Sequence, residues 1–138
     1  MTPKQYLSRY QEINRDINAL VEDCARLRSL AQKVTPEQSD GLPKGTNPDK
    51  AAPFTRIIEQ IVAKEAEING RIDDLMVARD EISATIDAVE VGVLRRLLRY
   101  RYLCGLTWEQ IAVEMHYTYQ WVCILHGKAL QEVIVDSN

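Results

Sequence analysis

In the first third of the chain, apolar and aromatic residues fall at Tyr6, Tyr10, Ile13, Ile17, Leu20, Cys24, Leu27, Ala31 and Val34, spaced alternately by four and three. That alternation is a heptad seam. The intervening positions, among them Gln11, Glu12, Asn14, Arg15, Asn18 and Glu22, are polar, and nothing between Pro3 and Pro36 breaks a helix. One long helix over residues 1–34 is predicted. Residues 35–52, TPEQSDGLPKGTNPDKAA, concentrate Pro, Gly and polar turn formers and predict a loop. From Pro53 a second seam runs through Phe54, Ile58, Ile61, Ile68, Ile72, Leu75, Ile82, Ile86 and Val89, with Glu65 and Arg79 interrupting it. A second long helix over 53–86 follows. Two amphipathic helices joined by a loop predict an antiparallel hairpin, a coiled-coil-like arm, whose seams pair within one chain or between two.

Residues 87–138 change character. Asp87 and Glu90 have the spacing of a capping pair, opening a helix that carries Leu94, Leu97, Leu98, Tyr102 and Leu103 and stops at Gly105. Thr107 followed by Gln110 is a second capping-box pattern, with Ile111, Ala112 and Met115 inward. Thr118 is placed to cap a last helix bearing Val122, Leu125, Ala129, Leu130 and Val133, and the tail Asp136-Ser137-Asn138 is expected to fray. The turn before Thr118 is short, and His116 is expected to fill a left-handed position in it, since His tolerates that backbone better than most residues. The fold expected is all-α: a long helical hairpin followed by a C-terminal helix-turn-helix module.

Three of the five prolines and two of the six glycines fall in residues 35–52 and Phe occurs once, which favours helices over a sheet-rich fold. No apolar run has the length of a membrane span, and MTPKQYLSRY lacks the apolar core of a signal peptide, so no membrane partner and a cytoplasmic location are expected. Cys24, Cys104 and Cys123 are scattered within helical patterns and read as small buried or half-buried thiols rather than a disulfide framework. The net charge of −3 is unevenly spread: the second long helix is acidic, and positive charge gathers at Arg95, Arg96, Arg99 and Arg101.

Residues 97–133, LLRYRYLCGLTWEQIAVEMHYTYQWVCILHGKALQEV, resemble the C-terminal helix-turn-helix (region 4) of sigma-70-type factors. Leu106-Thr107-Trp108-Glu109-Gln110-Ile111-Ala112 looks like the first helix, Tyr117-Thr118 like the turn, and Val122 with Lys128-Ala129-Leu130 like the recognition helix. The wording of Arg101-Tyr102-Leu103, of Trp108 to Ala112, of His126 to Leu130 and of the Gly41-Leu42-Pro43-Lys44-Gly45 loop is closer to phage-encoded regulators of the ArpU and RinA type. Proteins of that kind are linked to late-gene transcription. The resemblance implies a phage or prophage DNA-binding regulator in a bacterial host cell. Its last helix would enter the major groove of double-stranded DNA, and its arm would set the spacing of a homodimer or higher homo-oligomer.

On that reading Thr118, Tyr119, Gln120, Cys123 and Ile124 face bases. Gln120 suits adenine and Ile124 a thymine methyl, while the arginines common in similar helices are absent. Arg95, Arg96, Arg99, Arg101 and Lys128 face phosphates. Two other classes stay open. One is an adaptor whose module binds a protein such as RNA polymerase. The other is a small-terminase-like DNA-packaging component, which also joins such modules to helical oligomerisation segments.

No nucleophile–base pair, phosphate loop or carboxylate–His arrangement is present at a workable spacing, so no enzymatic activity and no cofactor are expected. Cys104, His116, Cys123 and His126 lack the spacing of a zinc site. Trp108, Trp121 and the tyrosines at 100, 102, 117 and 119 are expected to pack around the module, with Tyr119 the most exposed.

Overall fold

The computed structural model describes residues 1–34 and 48–135, and all their regular structure is helical. The order is α1 (Pro3–Val34), α2 (Pro48–Asp87), α3 (Gly92–Leu98), a π-helical turn (Arg99–Leu103), α4 (Trp108–Met115) and α5 (Tyr119–Glu132). None of these helices is long and apolar enough to cross a membrane. Most of the predicted loop, including Gly41–Gly45, and the terminal Asp136–Asn138 lie outside the described residues. α2 begins at Pro48, five residues before the sequence pattern places it, because Pro53 sits inside the helix rather than at its start.

The chain forms two compact units: Met1–Arg15 together with Asp73–Asn138, and Asp16–Ile72. In the second unit Cys24 and Ala31 of α1 share a buried cluster with Ile57 and Ile61 of α2, flanked by Leu27, Val34, Phe54 and Ile68. Arg28 pairs with Glu65, and Lys64 lies 3.4 Å from Asp23. The line along α2 that faces α1 here is Ile57 and Ile61, both buried, with Lys64 and Ile68 half-buried; Ile58 and Ile72, both placed on the seam by the sequence, are exposed. Two apolar stripes run side by side along this helix, and spacing alone merged them.

In the first unit the buried cluster joins Leu7 of α1, Ala78, Ile82 and Ile86 of α2, and Val89, to Leu94, Leu97, Leu98, Tyr102, Ile111, Val122, Leu125, Ala129 and Val133. Leu7, fully buried, was absent from the expected seam, and Ala78 rather than Arg79 faces inward. Arg9 meets Glu81 at 2.8 Å across α1 and α2. The Gln11 amide donates to the Arg101 carbonyl at 2.6 Å, tying α1 to the π-turn.

Asp87 and Glu90 do not cap α3. α2 continues through Asp87, the residue before α3 is Val91 with no side-chain cap, and the Asp87 carboxylate takes the Arg99 guanidinium instead. α2 runs as far as Asp87 itself, so that residue cannot serve as the start of a new helix; Ile86 and Val89 on either side of it are buried, and the next helix begins only at Gly92. The π-turn is marked by the Cys104 amide donating to the Arg99 carbonyl at 3.0 Å, and Gly105 follows at φ +70, a left-handed conformation that glycine adopts without strain.

Candidate functional site

α4 and α5 are defined by their caps. Thr107 accepts from the Gln110 amide at 3.2 Å while the Gln110 side chain accepts from the Thr107 amide at 2.9 Å, a complete capping box. Thr118 accepts from the Trp121 amide at 3.2 Å. Between the helices only His116, Tyr117 and Thr118 intervene. His116 ends α4 in the left-handed region (φ 60, ψ 41), as its position in the turn predicts. α5 packs on both α3 and α4 through Val122, Leu125, His126 and Ala129.

The inner face of α5 is anchored by His126. Its Nε2 lies 2.7 Å from the Tyr102 hydroxyl, and the Trp108 ring meets it edge-on with centroids 4.5 Å apart. Burial, with Lys4 and Arg101 nearby, lowers the imidazole pKa to about 4; burial also raises the Tyr102 phenol to about 12. Both groups are therefore neutral at pH 7, and with the imidazole proton on Nδ1 the phenol donates a hydrogen bond to Nε2. Trp108 packs as expected, with the Arg101 guanidinium stacked 4.2 Å from its centroid.

The outer face of α5 carries Tyr119, Gln120, Cys123, Ile124 and Lys128, all exposed. Trp121 is a correction: it is 41% exposed, not packed in the core, and Lys128 Nζ sits 5.4 Å from its ring centre. The Cys123 thiol beside Tyr119 holds that phenol above its usual range. Tyr119 is the most exposed of the four tyrosines and Tyr100 and Tyr102 pack, as expected, whereas Tyr117 is exposed rather than packed. Cys104 and Cys123 are exposed rather than half-buried, and only Cys24 is buried.

The expected phosphate-facing cations are not equally free. Arg95 donates to the Val89 carbonyl at 2.9 Å, Arg99 is held by Asp87, and Arg101 donates to the Leu106 carbonyl at 3.0 Å while stacking on Trp108. Arg96 is exposed. Sequence spacing could not have distinguished these, because the acceptors are backbone carbonyls and a carboxylate brought in by the fold. What the sequence reading passed over is the outer face of α4, where Leu106, Glu109, Gln110, Val113 and Glu114 line one shallow groove. Their spacing of three and four along the sequence puts them on one helical face.

Among the described residues no group of three or more His, Cys, Asp or Glu side chains is placed to hold a metal ion. No family model, curated protein or solved structure matches the chain.

Proposed function

We propose that this chain is a DNA-binding transcriptional regulator of phage or prophage type, which reads DNA with α5 of a helix-turn-helix formed by α4 and α5 and self-associates through its two long helices. One observation carries the reading. α5 is buried along its inner face and capped after a three-residue turn, while its outer face, from Tyr119 to Lys128, makes no part of the core. A recognition helix needs that combination, because base contacts discriminate only when the side chains are presented in a fixed register.

In this reading Gln120 pairs with adenine, Tyr119, Cys123 and Ile124 make apolar contacts, and Thr118 keeps the helix end in place. Arg96 and Lys128 are the cations best placed for phosphates; Arg95 can reach one with its remaining donors, and Arg99 and Arg101 only by leaving Asp87 and Leu106. Binding of the full chain to labelled DNA from its own gene's neighbourhood, measured over a salt series, tests this. Affinity should fall steeply with salt, Arg96→Ala should flatten that slope, and Gln120→Ala should cost about 1–3 kcal/mol on the preferred sequence and little elsewhere. A folded protein that fails to bind at low salt rejects the reading.

A second reading has its own observation. On α4, Val113 is 76% exposed, in a groove it lines with Glu109 and Glu114 and with Leu106 just before the helix. An apolar strip with acidic edges suits a basic amphipathic segment of a protein such as RNA polymerase better than it suits phosphates. Loss of polymerase binding in Val113→Glu, with DNA binding unchanged, would assign α4 to that partner.

A further inference from the structure

Successive residues on a helix point about 100° apart, so two arginines in a row ordinarily diverge. On α3 Arg95 and Arg96 converge. A helical side chain leans back over the turn before it. Arg95 and Arg96 stand three and four residues after Gly92, so both lean over the one position of α3 that has no side chain. A Cβ placed on Gly92 would lie 3.6 Å from Arg95 Nη2 and 3.7 Å from Arg96 Nη1, which puts the two guanidinium groups on either side of one small gap.

No carboxylate fills that gap. Arg95 Nη1 donates to the Val89 carbonyl at 2.9 Å, which anchors one end of the group and leaves Nη2 on the Gly92 side. Arg96 is exposed and has no hydrogen bond or ion pair among the described residues. Two acids are close in sequence. Asp87 is taken by Arg99, and Glu90 joins no ion pair among the described residues. Arg99 thus shows what a guanidinium on this helix does when an acid is in reach, while Arg95 and Arg96 are left as like charges with an opening between them. Such a pair repels itself until an anion sits in the middle. The whole chain has a net charge of −3, so this open positive corner is a local feature and not a consequence of overall charge.

We propose that Arg95 and Arg96 form a two-pronged seat over Gly92 for a single phosphate group, each guanidinium donating to a different oxygen. Planar guanidinium donors match phosphate oxygens in a way that an ammonium does not. Gly92 contributes by keeping the gap open. The Val89 carbonyl that anchors Arg95 belongs to a residue buried in the same cluster as Val122 and Leu125 of α5, so a phosphate held here is registered against the core that carries the candidate recognition helix. In bound DNA the group is a backbone phosphodiester; free phosphate offers the same oxygens. The inference rests on the proposed function only for the DNA source.

The test is a titration of the full, isotope-labelled chain with sodium phosphate at constant ionic strength, following the Gly92 amide and the Arg95 and Arg96 side-chain N–H signals by NMR, with helicity checked by circular dichroism. These signals should shift together and saturate. Arg96→Ala should weaken binding by about 10-fold or more, since a charge-assisted hydrogen bond is lost, and Arg96→Lys should restore only part of it. Gly92→Asp places a carboxylate in the gap and should abolish binding; the fold should tolerate it, because a Cβ there meets its neighbours at ordinary contact distance.

A second arm adds duplex DNA in place of phosphate. The same signals should shift, and Arg96→Ala should lower the slope of log affinity against log salt by about 1. Drift without saturation in the phosphate titration, or saturation indifferent to R96A and G92D, would overturn the seat; DNA binding by the protein in that case leaves the proposed function standing. Saturable phosphate binding with no response of these signals to duplex would keep the seat and overturn DNA as its source.

Discussion

The Tyr102 hydroxyl and His126 Nε2 lie 2.7 Å apart, joining the π-turn to the buried face of α5. The bond keeps a buried imidazole satisfied beneath the candidate recognition surface, and no buried side-chain polar atom among the described residues lacks a partner. Tyr102→Phe removes the donor and leaves Nε2 buried without one. It should cost about 1–3 kcal/mol in urea denaturation, the usual penalty for an orphaned buried acceptor.

The same residue makes stability depend on pH. His126 is lowered in the folded state to about 4 from 6.5, so between those values the unfolded chain binds the extra proton. The stabilisation held in the neutral imidazole is present above pH 6.5 and is lost as pH falls toward 4. The loss should be on the order of 2–3 kcal/mol. Denaturation midpoints at pH 7, 5.5 and 4.5 measure it, and His126→Gln should remove most of the slope in this window.

His116 sits at φ 60, where a β-branched side chain meets its own backbone. His116→Val should therefore destabilise the protein by about 1–2 kcal/mol, whereas His116→Gly should be neutral or stabilising. Paired thermal melts of the two variants, at equal concentration, decide it.

Thr107 and Thr118 each satisfy a helix-end amide. Thr107→Ala and Thr118→Ala should each cost about 1 kcal/mol. Only the second should also weaken DNA binding, since it loosens the first turn of α5; comparing denaturation with DNA titration separates the two effects.

Gln11→Ala breaks the contact between α1 and the Arg101 carbonyl. A loss of about 1 kcal/mol is expected, with protease protection of the α3–α5 region falling accordingly. If stability is unchanged, water replaces the amide without cost.

The features the sequence determined by itself are those made within one turn of chain. The capping box of Thr107 and Gln110, the cap at Thr118, the left-handed His116 and the stop at Gly105 each depend on residues three or fewer positions apart, so their chemistry can be read in order. The all-helical class follows in the same way from periodicity. Contacts across the fold were decided only by tertiary structure. Asp87 had the right neighbour to cap a helix, yet it is the last residue of α2, between buried Ile86 and Val89, and its carboxylate pairs with Arg99.

Arg101 looked as free as Arg96 until the π-turn laid it over Trp108, and Trp121 looked like core until the packing of Val122 and Leu125 turned it outward. On α2, apolar residues at 57, 58, 61 and 62 satisfy two stripes at once. A helix has no inside until a neighbour packs on it, so only the partner helix could choose which stripe is buried and leave Ile58 and Val62 exposed.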